Sequence, residues 1–203
     1  LRMRTPFSPP KTVPSIIDEH GQFFKYAPIL ERLSTLNIDE VKREWHAQIE
    51  AFVKAAEHKP THLDSHHHSS YFSPELFQAM LELAKEYDCT IRFPFTGNIS
   101  EELEETYKYV PDLIRKFHPR SPDSFVVNFY DEGATREELL NMIHNLPEGT
   151  TEIMCHPGYT DEAFARESVY NNQRDRELDI LTDPMIKKAI QANGIQLITF
   201  AEI

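Results

Sequence analysis

Apolar positions along the chain fall into alternating helical and extended rhythms, separated by clusters of proline, glycine and small polar residues. Residues 1–28 are irregular, carrying Pro6, Pro9, Pro10 and Pro14 and the turn signal Asp18-Glu19-His20-Gly21. They read as a surface excursion that closes over something else. From Asn37 onward, Val41, Trp45, Ile49, Phe52 and Val53 keep the helical period, and Lys59-Pro60 is expected to end that helix.

A repeating strand–helix pattern follows. Thr61–Ser65 reads as a short strand, and Ser73-Pro74-Glu75 as the capped start of a helix striped by Leu76, Met80, Leu83 and Ala84. Thr90–Phe93 is the second strand. The next helix carries Leu103, Tyr107, Val110, Leu113 and Ile114, with a kink expected at Pro111. Ser124–Phe129 is a third strand, and Thr135-Arg136-Glu137-Glu138 is a capping box before Leu139, Leu140 and Ile143. Thr151–Cys155 is a fourth strand. A helical region over 169–192 precedes a last strand at Ile195–Phe200.

Strands that alternate with helices in this way predict parallel βα units and an α/β fold. A complete (β/α) barrel takes about 250 residues. The 203 residues here fit a single domain built as a deformed or incomplete TIM-barrel-like fold.

Composition narrows the partners. The net charge of −12 opposes binding to a nucleic-acid backbone or an anionic membrane. No apolar run approaches the roughly 20 residues of a membrane helix, and the opening has no secretory pattern. Cys89 and Cys155 lack CxxC spacing and read as reduced, buried thiols of a cytoplasmic protein. The start at Leu1 rather than Met leads us to expect a further N-terminal piece. Exposed aromatics such as Tyr107 and Tyr109 point to a homodimer.

The candidate chemistry sits in two motifs. Thr61-His62-Leu63-Asp64-Ser65-His66-His67-His68 places three imidazoles beside a carboxylate. If the strand continues, Asp64, His66 and His68 share one face, and a neutral imidazole with a nearby carboxylate suits a metal site. Met154-Cys155-His156-Pro157-Gly158 holds a second histidine at a strand end, where it could protonate a leaving group. Arg92, before Phe93-Pro94, supplies a fixed cation able to orient a carboxylate. All of these are expected at the C-terminal strand edge, where α/β folds build their sites. His20, His46, His58, His118 and His144 read as surface residues. No phosphate loop, GxSxG elbow or CxxC pair is present.

The two motifs together resemble the YdjC-like carbohydrate deacetylases, the family of chitooligosaccharide deacetylase. So do Pro14-Ser15-Ile16-Ile17-Asp18-Glu19-His20-Gly21 and Arg176-Glu177-Leu178-Asp179-Ile180-Leu181-Thr182. The likeness runs essentially from end to end. It implies a barrel-like hydrolase that removes acetyl groups from a small carbohydrate substrate. It also implies one divalent ion, magnesium or zinc, held by an aspartate and two histidines, with His66 as one ligand. The family's remaining ligands and its aspartate base belong to N-A-D-D-F-G and G-x-H-L motifs that this sequence does not contain. For the reaction we expect that aspartate base to take the water's proton, His156 to protonate the departing amine, Arg92 to hold the same aspartate base charged, and Asp64 to support His66 or bind a sugar hydroxyl. His68 and Tyr159 are expected to contact substrate. The alternatives are a metal-dependent phosphoesterase on a similar barrel and a non-catalytic sugar- or metal-binding remnant.

Overall fold

The computed structural model describes residues 5–95 and 103–203, so residues 1–4 of the proline-rich opening lie outside the described residues. The architecture is α/β and helix-rich, built on short parallel strand pairs as expected of a deformed (β/α) fold. The chain forms two compact units, Leu1–Ser121 with Phe200–Ile203, and Pro122–Thr199.

In the first unit, α1 (Tyr26–Leu30) is followed by α2 (Ile38–Ala56). The start of α2 is set by Asn37, whose Oδ1 accepts the N–H groups of Asp39 at 3.0 Å and Glu40 at 3.4 Å. Both acidic residues sit in the first turn, where the helix dipole favours them. The helix ends earlier than Lys59-Pro60, because Glu57 adopts a left-handed conformation (φ 60°) and its N–H returns to the Val53 carbonyl.

The short strand β1 (His62–Leu63) leads through a turn into α3 (Pro74–Tyr87). Ser73 Oγ accepts the Leu76 N–H at 3.2 Å, and Pro74 occupies the first turn, where no N–H is needed. Leu76, Phe77, Ala79, Met80, Leu81, Leu83 and Ala84 are all buried, so this helix is covered on most of its circumference and lies at the centre of the core. Tyr71 and Phe95 pack against its Phe77, the three ring centroids lying 5.3–5.5 Å apart.

β2 (Thr90–Ile91) pairs parallel with β1, His62 opposite Thr90 and Leu63 opposite Ile91. It stops short of the expected Phe93. Pro94 has no N–H to contribute to a ladder. The expected kinked helix is instead two segments, α4 (Glu104–Tyr107) and α5 (Val110–Phe117). Pro111 falls in the first turn of α5, so it starts a helix rather than bending one. The opening excursion contributes Val13 and Ile16 to this core and closes on itself through an Ile17–Phe23 antiparallel bridge.

The second unit repeats the plan. β3 (Ser124–Val126), α6 (Arg136–His144) and β4 (Thr151–Ile153) form a parallel unit with Ser124 opposite Thr151 and Val126 opposite Ile153. Thr135 Oγ1 accepts the Glu138 N–H at 3.1 Å, as the capping box predicts. The long helical region expected over 169–192 is divided into α8 (Asn172–Leu181) and α9 (Pro184–Ala192), and a further short helix, α7 (Glu162–Glu167), precedes it. Phe129, Ala134, Leu139, Ile143, Ile180 and Ile186 form the core of this unit.

The expected strand Ile195–Phe200 is absent. Residues 195–199 have no regular structure, and a short 3-10 turn covers Phe200–Glu202. Leu197 is 76% exposed, so the run is not buried against a neighbour, and among the described strands none pairs with it. Among the described residues no helix is long and apolar enough to cross a membrane.

One polar residue ties the opening segment to α2. Glu44 is only 1% exposed, and its carboxyl accepts the N–H groups of Phe7 at 3.0 Å and Ser8 at 2.8 Å. Replacing it with alanine strands those donors, at a cost of about 1–3 kcal/mol for each one left buried. Glu44→Ala is therefore expected to lower the urea midpoint and to speed proteolysis near Phe7. A midpoint equal to wild type would show that the segment is held by other contacts.

Candidate functional site

The chemistry-bearing residues fall into two groups, one in each unit. In the first unit, the β1–β2 register brings Asp64 and Arg92 to corresponding strand ends. Arg92 Nη1 donates to Asp64 Oδ2 at 2.7 Å, with the arginine side chain 18% and the aspartate 33% exposed. The other carboxylate oxygen of Asp64 accepts the Ser65 N–H at 2.7 Å. From below, Tyr71 Oη donates to the Arg92 carbonyl. The aspartate is thus held from both oxygens, and the arginine from its backbone. The carboxylate that Arg92 holds is Asp64, not the aspartate base of the family's missing motif.

The histidine run does not continue β1. The chain leaves the strand at Leu63, and a kinked 3-10 segment, not one continuous helix, covers His66–Tyr71. Within it His67 (φ 53°) and His68 (φ 56°) take left-handed conformations. Strand alternation therefore does not apply to Asp64, His66 and His68. The turn is closed by Ser65, whose Oγ meets Ser70 Oγ at 2.7 Å and accepts the Ser70 N–H at 3.2 Å. His66 is exposed, with its ring 4.1 Å from that of His67, which itself lies 5.0 Å from Tyr26. His68 is half-buried near Tyr71.

Among the described residues, no group of three His, Cys, Asp or Glu side chains is placed to hold a metal ion. The residues present do not by themselves fit a complete divalent site.

In the second unit, β4 delivers Met154, Cys155 and His156. Cys89 is buried as expected, whereas Cys155 is only half-buried, and both are free thiols. The main chain at His156 is clamped from α8. Its N–H donates to Glu177 Oε2, and its carbonyl accepts from Arg174 Nη1 at 3.1 Å. Glu177 is fully buried, and its other carboxyl oxygen accepts from Tyr170 Oη. Burial and that hydrogen bond push the Tyr170 phenol up to about 12, opposed in part by the Asp131 N–H donated to it, so it stays protonated at neutral pH. Tyr130 lies parallel on Tyr170 at 4.7 Å, and both rings meet the His156 ring edge-on at 5.4 and 5.7 Å. The imidazole is thus fixed by its backbone and flanked by two phenol rings. Tyr159, three residues on, is 91% exposed.

The sequence reading did not single out Tyr130, Tyr170, Arg174 or Glu177 as site residues. A signal existed for one of them. Glu177 lies three residues before Ile180 and so shares its core-facing stripe, where an acidic residue needs a dedicated partner.

A family profile described as YdjC-like protein matches residues 1–192. A carbohydrate deacetylase of Enterococcus faecalis is 32% identical over 206 residues, spanning 100% of this chain and 74% of the relative. A carbohydrate deacetylase of Thermoanaerobacter pseudethanolicus is 34% identical over 197 residues, 97% of this chain and 72% of the relative. A crystal structure assigned to a cellobiose-phosphate cleavage protein of Enterococcus faecalis superposes with a TM-score of 0.81 at 32% identity. It covers 98% of this chain and 72% of that one.

The first group carries a pH signature. His62 stacks on Phe200 with ring centroids 4.0 Å apart. Burial lowers its pKa below the ordinary imidazole value, with Asp64 pulling it up and Arg92 pushing it further down. The folded state therefore prefers the neutral ring. Its stability contribution is complete above the unfolded imidazole value of about 6.5 and is lost as pH falls through the lower folded value. The depressed carboxylates Asp18, Asp123, Asp183 and Glu82 act only in a more acidic window. Thermal melts of wild type and His62→Gln between about pH 7 and 5 should show a steeper fall in wild type. Parallel curves would refute the assignment.

Proposed function

We propose that this chain, which belongs to the YdjC-like family, is a carbohydrate deacetylase that hydrolyses the acetamide of an N-acetylated sugar. The observation that carries this reading is the clamped histidine. An imidazole at a strand end, with its backbone N–H on a buried glutamate and its carbonyl on Arg174, is pre-positioned to give a proton to one fixed place. The names of the relatives supply the substrate class, an acetylated carbohydrate.

The reaction is amide hydrolysis. Water gives up a proton to a carboxylate base as it adds to the acetyl carbonyl, the C–N bond of the tetrahedral intermediate breaks, and acetate and the free amine leave. The departing nitrogen needs a proton as that bond breaks, and His156 donates it. Arg92 holds Asp64 in place, so that the carboxylate accepts a hydrogen bond from a sugar hydroxyl or supports His66. His68 and Tyr159 are the further substrate contacts. The acidic surface raises no barrier to a neutral amide substrate.

We assign His66 as the side chain that takes a divalent ion, magnesium or zinc. No step above is routed through that ion, because the described neighbours of His66 do not complete a coordination set.

The structural neighbour's description names a cellobiose phosphate, which keeps a phosphoesterase as the second reading. Against it, Arg92, the cation that would clamp a phosphate, is already paired with Asp64.

Acetate release from N,N′-diacetylchitobiose, assayed with and without a chelator, tests the first reading. His156→Ala is expected to lower kcat by about 10²–10⁴-fold while metal content measured by elemental analysis stays at the wild-type level. His66→Ala is expected to lose both. Phosphate release from a disaccharide phosphate with no acetate release from the chitobiose would replace this reading with the second.

A further inference from the structure

Tyr130 is placed in a way that packing alone does not explain. It follows Phe129, which is fully buried, and projects in the opposite sense with 47% of its surface exposed although one ring face lies flat on Tyr170. The segment presenting it is held tightly. Asp131 takes a left-handed conformation (φ 49°), which aspartate enters more readily than most residues. Three hydrogen bonds hold it there. The Asp131 N–H goes to Tyr170 Oη at 2.9 Å, Gln173 Nε2 donates to Asp131 Oδ1 at 3.2 Å, and Arg176 donates to the Asp131 carbonyl. Two residues further on, a Cβ at Gly133 would run into the main-chain oxygen of Asn128, so the turn closes too tightly for any other residue.

We propose that Tyr130 is a sugar-binding platform beside His156, stacking on the C–H face of a pyranose ring and setting the enzyme's preference for one. The inference rests on the deacetylase reading above. A pyranose with equatorial hydroxyls presents polarised C–H groups on its flat faces, and these meet the electron-rich face of an aromatic ring. A tyrosine backed by a second tyrosine loses little conformational freedom when a sugar covers it. The edge-on contact of the same ring with His156, at 5.4 Å, places the bound sugar next to the proton donor. Tyr170 fixes the platform from behind, and its own hydroxyl is committed to Glu177 and Asp131. The chemical class selected is a pyranose bearing an acetamide, in preference to an acyclic acetamide.

The test compares wild type, Tyr130→Phe and Tyr130→Leu on N,N′-diacetylchitobiose and on an acyclic acetamide alcohol. Tyr130→Leu is expected to raise KM for the chitobiose by about tenfold with a much smaller change in kcat, and Tyr130→Phe to restore the wild-type KM. Activity on the acyclic amide should move equally little in both variants. Saturation-transfer NMR on wild-type protein, irradiating aromatic protons, gives an independent reading that does not depend on a variant folding. One face of the pyranose (H1, H3 and H5, or H2 and H4) should receive the stronger transfer. An unchanged KM in Tyr130→Leu, or equal transfer to both faces, overturns the platform while leaving the deacetylase intact. If wild type neither binds nor deacetylates the chitobiose, the deacetylase reading falls, and the platform with it.

Discussion

Each unit rests on a glutamate that solvent hardly reaches. Irregular segments outside the strand ladders carry main-chain N–H groups into places where water is scarce, and those groups must find acceptors. Glu44 answers for Phe7 and Ser8, and Glu177 for His156. A buried carboxyl is costly to desolvate, so such a residue persists only where it accepts several donors at once. Both do: Glu44 also accepts from Gln48, and Glu177 from Tyr170. The short strands and the long, defined loops are two sides of one arrangement. What the ladders do not hold, side-chain carboxyls do.

The same economy shapes the reactive residues. Asp64 is held by an arginine and a backbone N–H, and His156 by its own main chain. In neither group does a regular sheet aim the side chain beyond the strand end. Positioning by hydrogen bonds to loops allows close control of geometry where strand periodicity has already ended. It also suits Tyr170 beside His156, whose ring fills space while its hydroxyl is hydrogen-bonded to Glu177 and Asp131.

The helices were legible in the sequence because their signals are local. Asn37, Ser73-Pro74 and Thr135 each place a cap within three residues of the donors it serves, and the apolar stripe of α3 announces its own burial. Strand extents were not, because a strand's length depends on its neighbour. Ile195–Phe200 has the composition of a strand, yet no described strand pairs with it, while Thr90–Phe93 is cut short by Pro94. The histidine run illustrates the limit most clearly. Residue identity revealed the candidate chemistry, but alternation assigned the wrong faces, because nothing local marks the change from extended to left-handed backbone at His67. Tyr130 and Tyr170 were invisible for a related reason: their stack joins positions 40 residues apart.

The two successive left-handed histidines also separate what the main chain wants from what the side chains supply. Histidine enters this region more readily than most residues, yet glycine would relieve the torsional penalty at both positions. An imidazole kept there is therefore not kept for the sake of the turn. The substitution spectrum of His67 and His68 becomes a direct gauge of need: glycine satisfies the backbone and removes the ring, whereas valine or isoleucine offends the backbone as well.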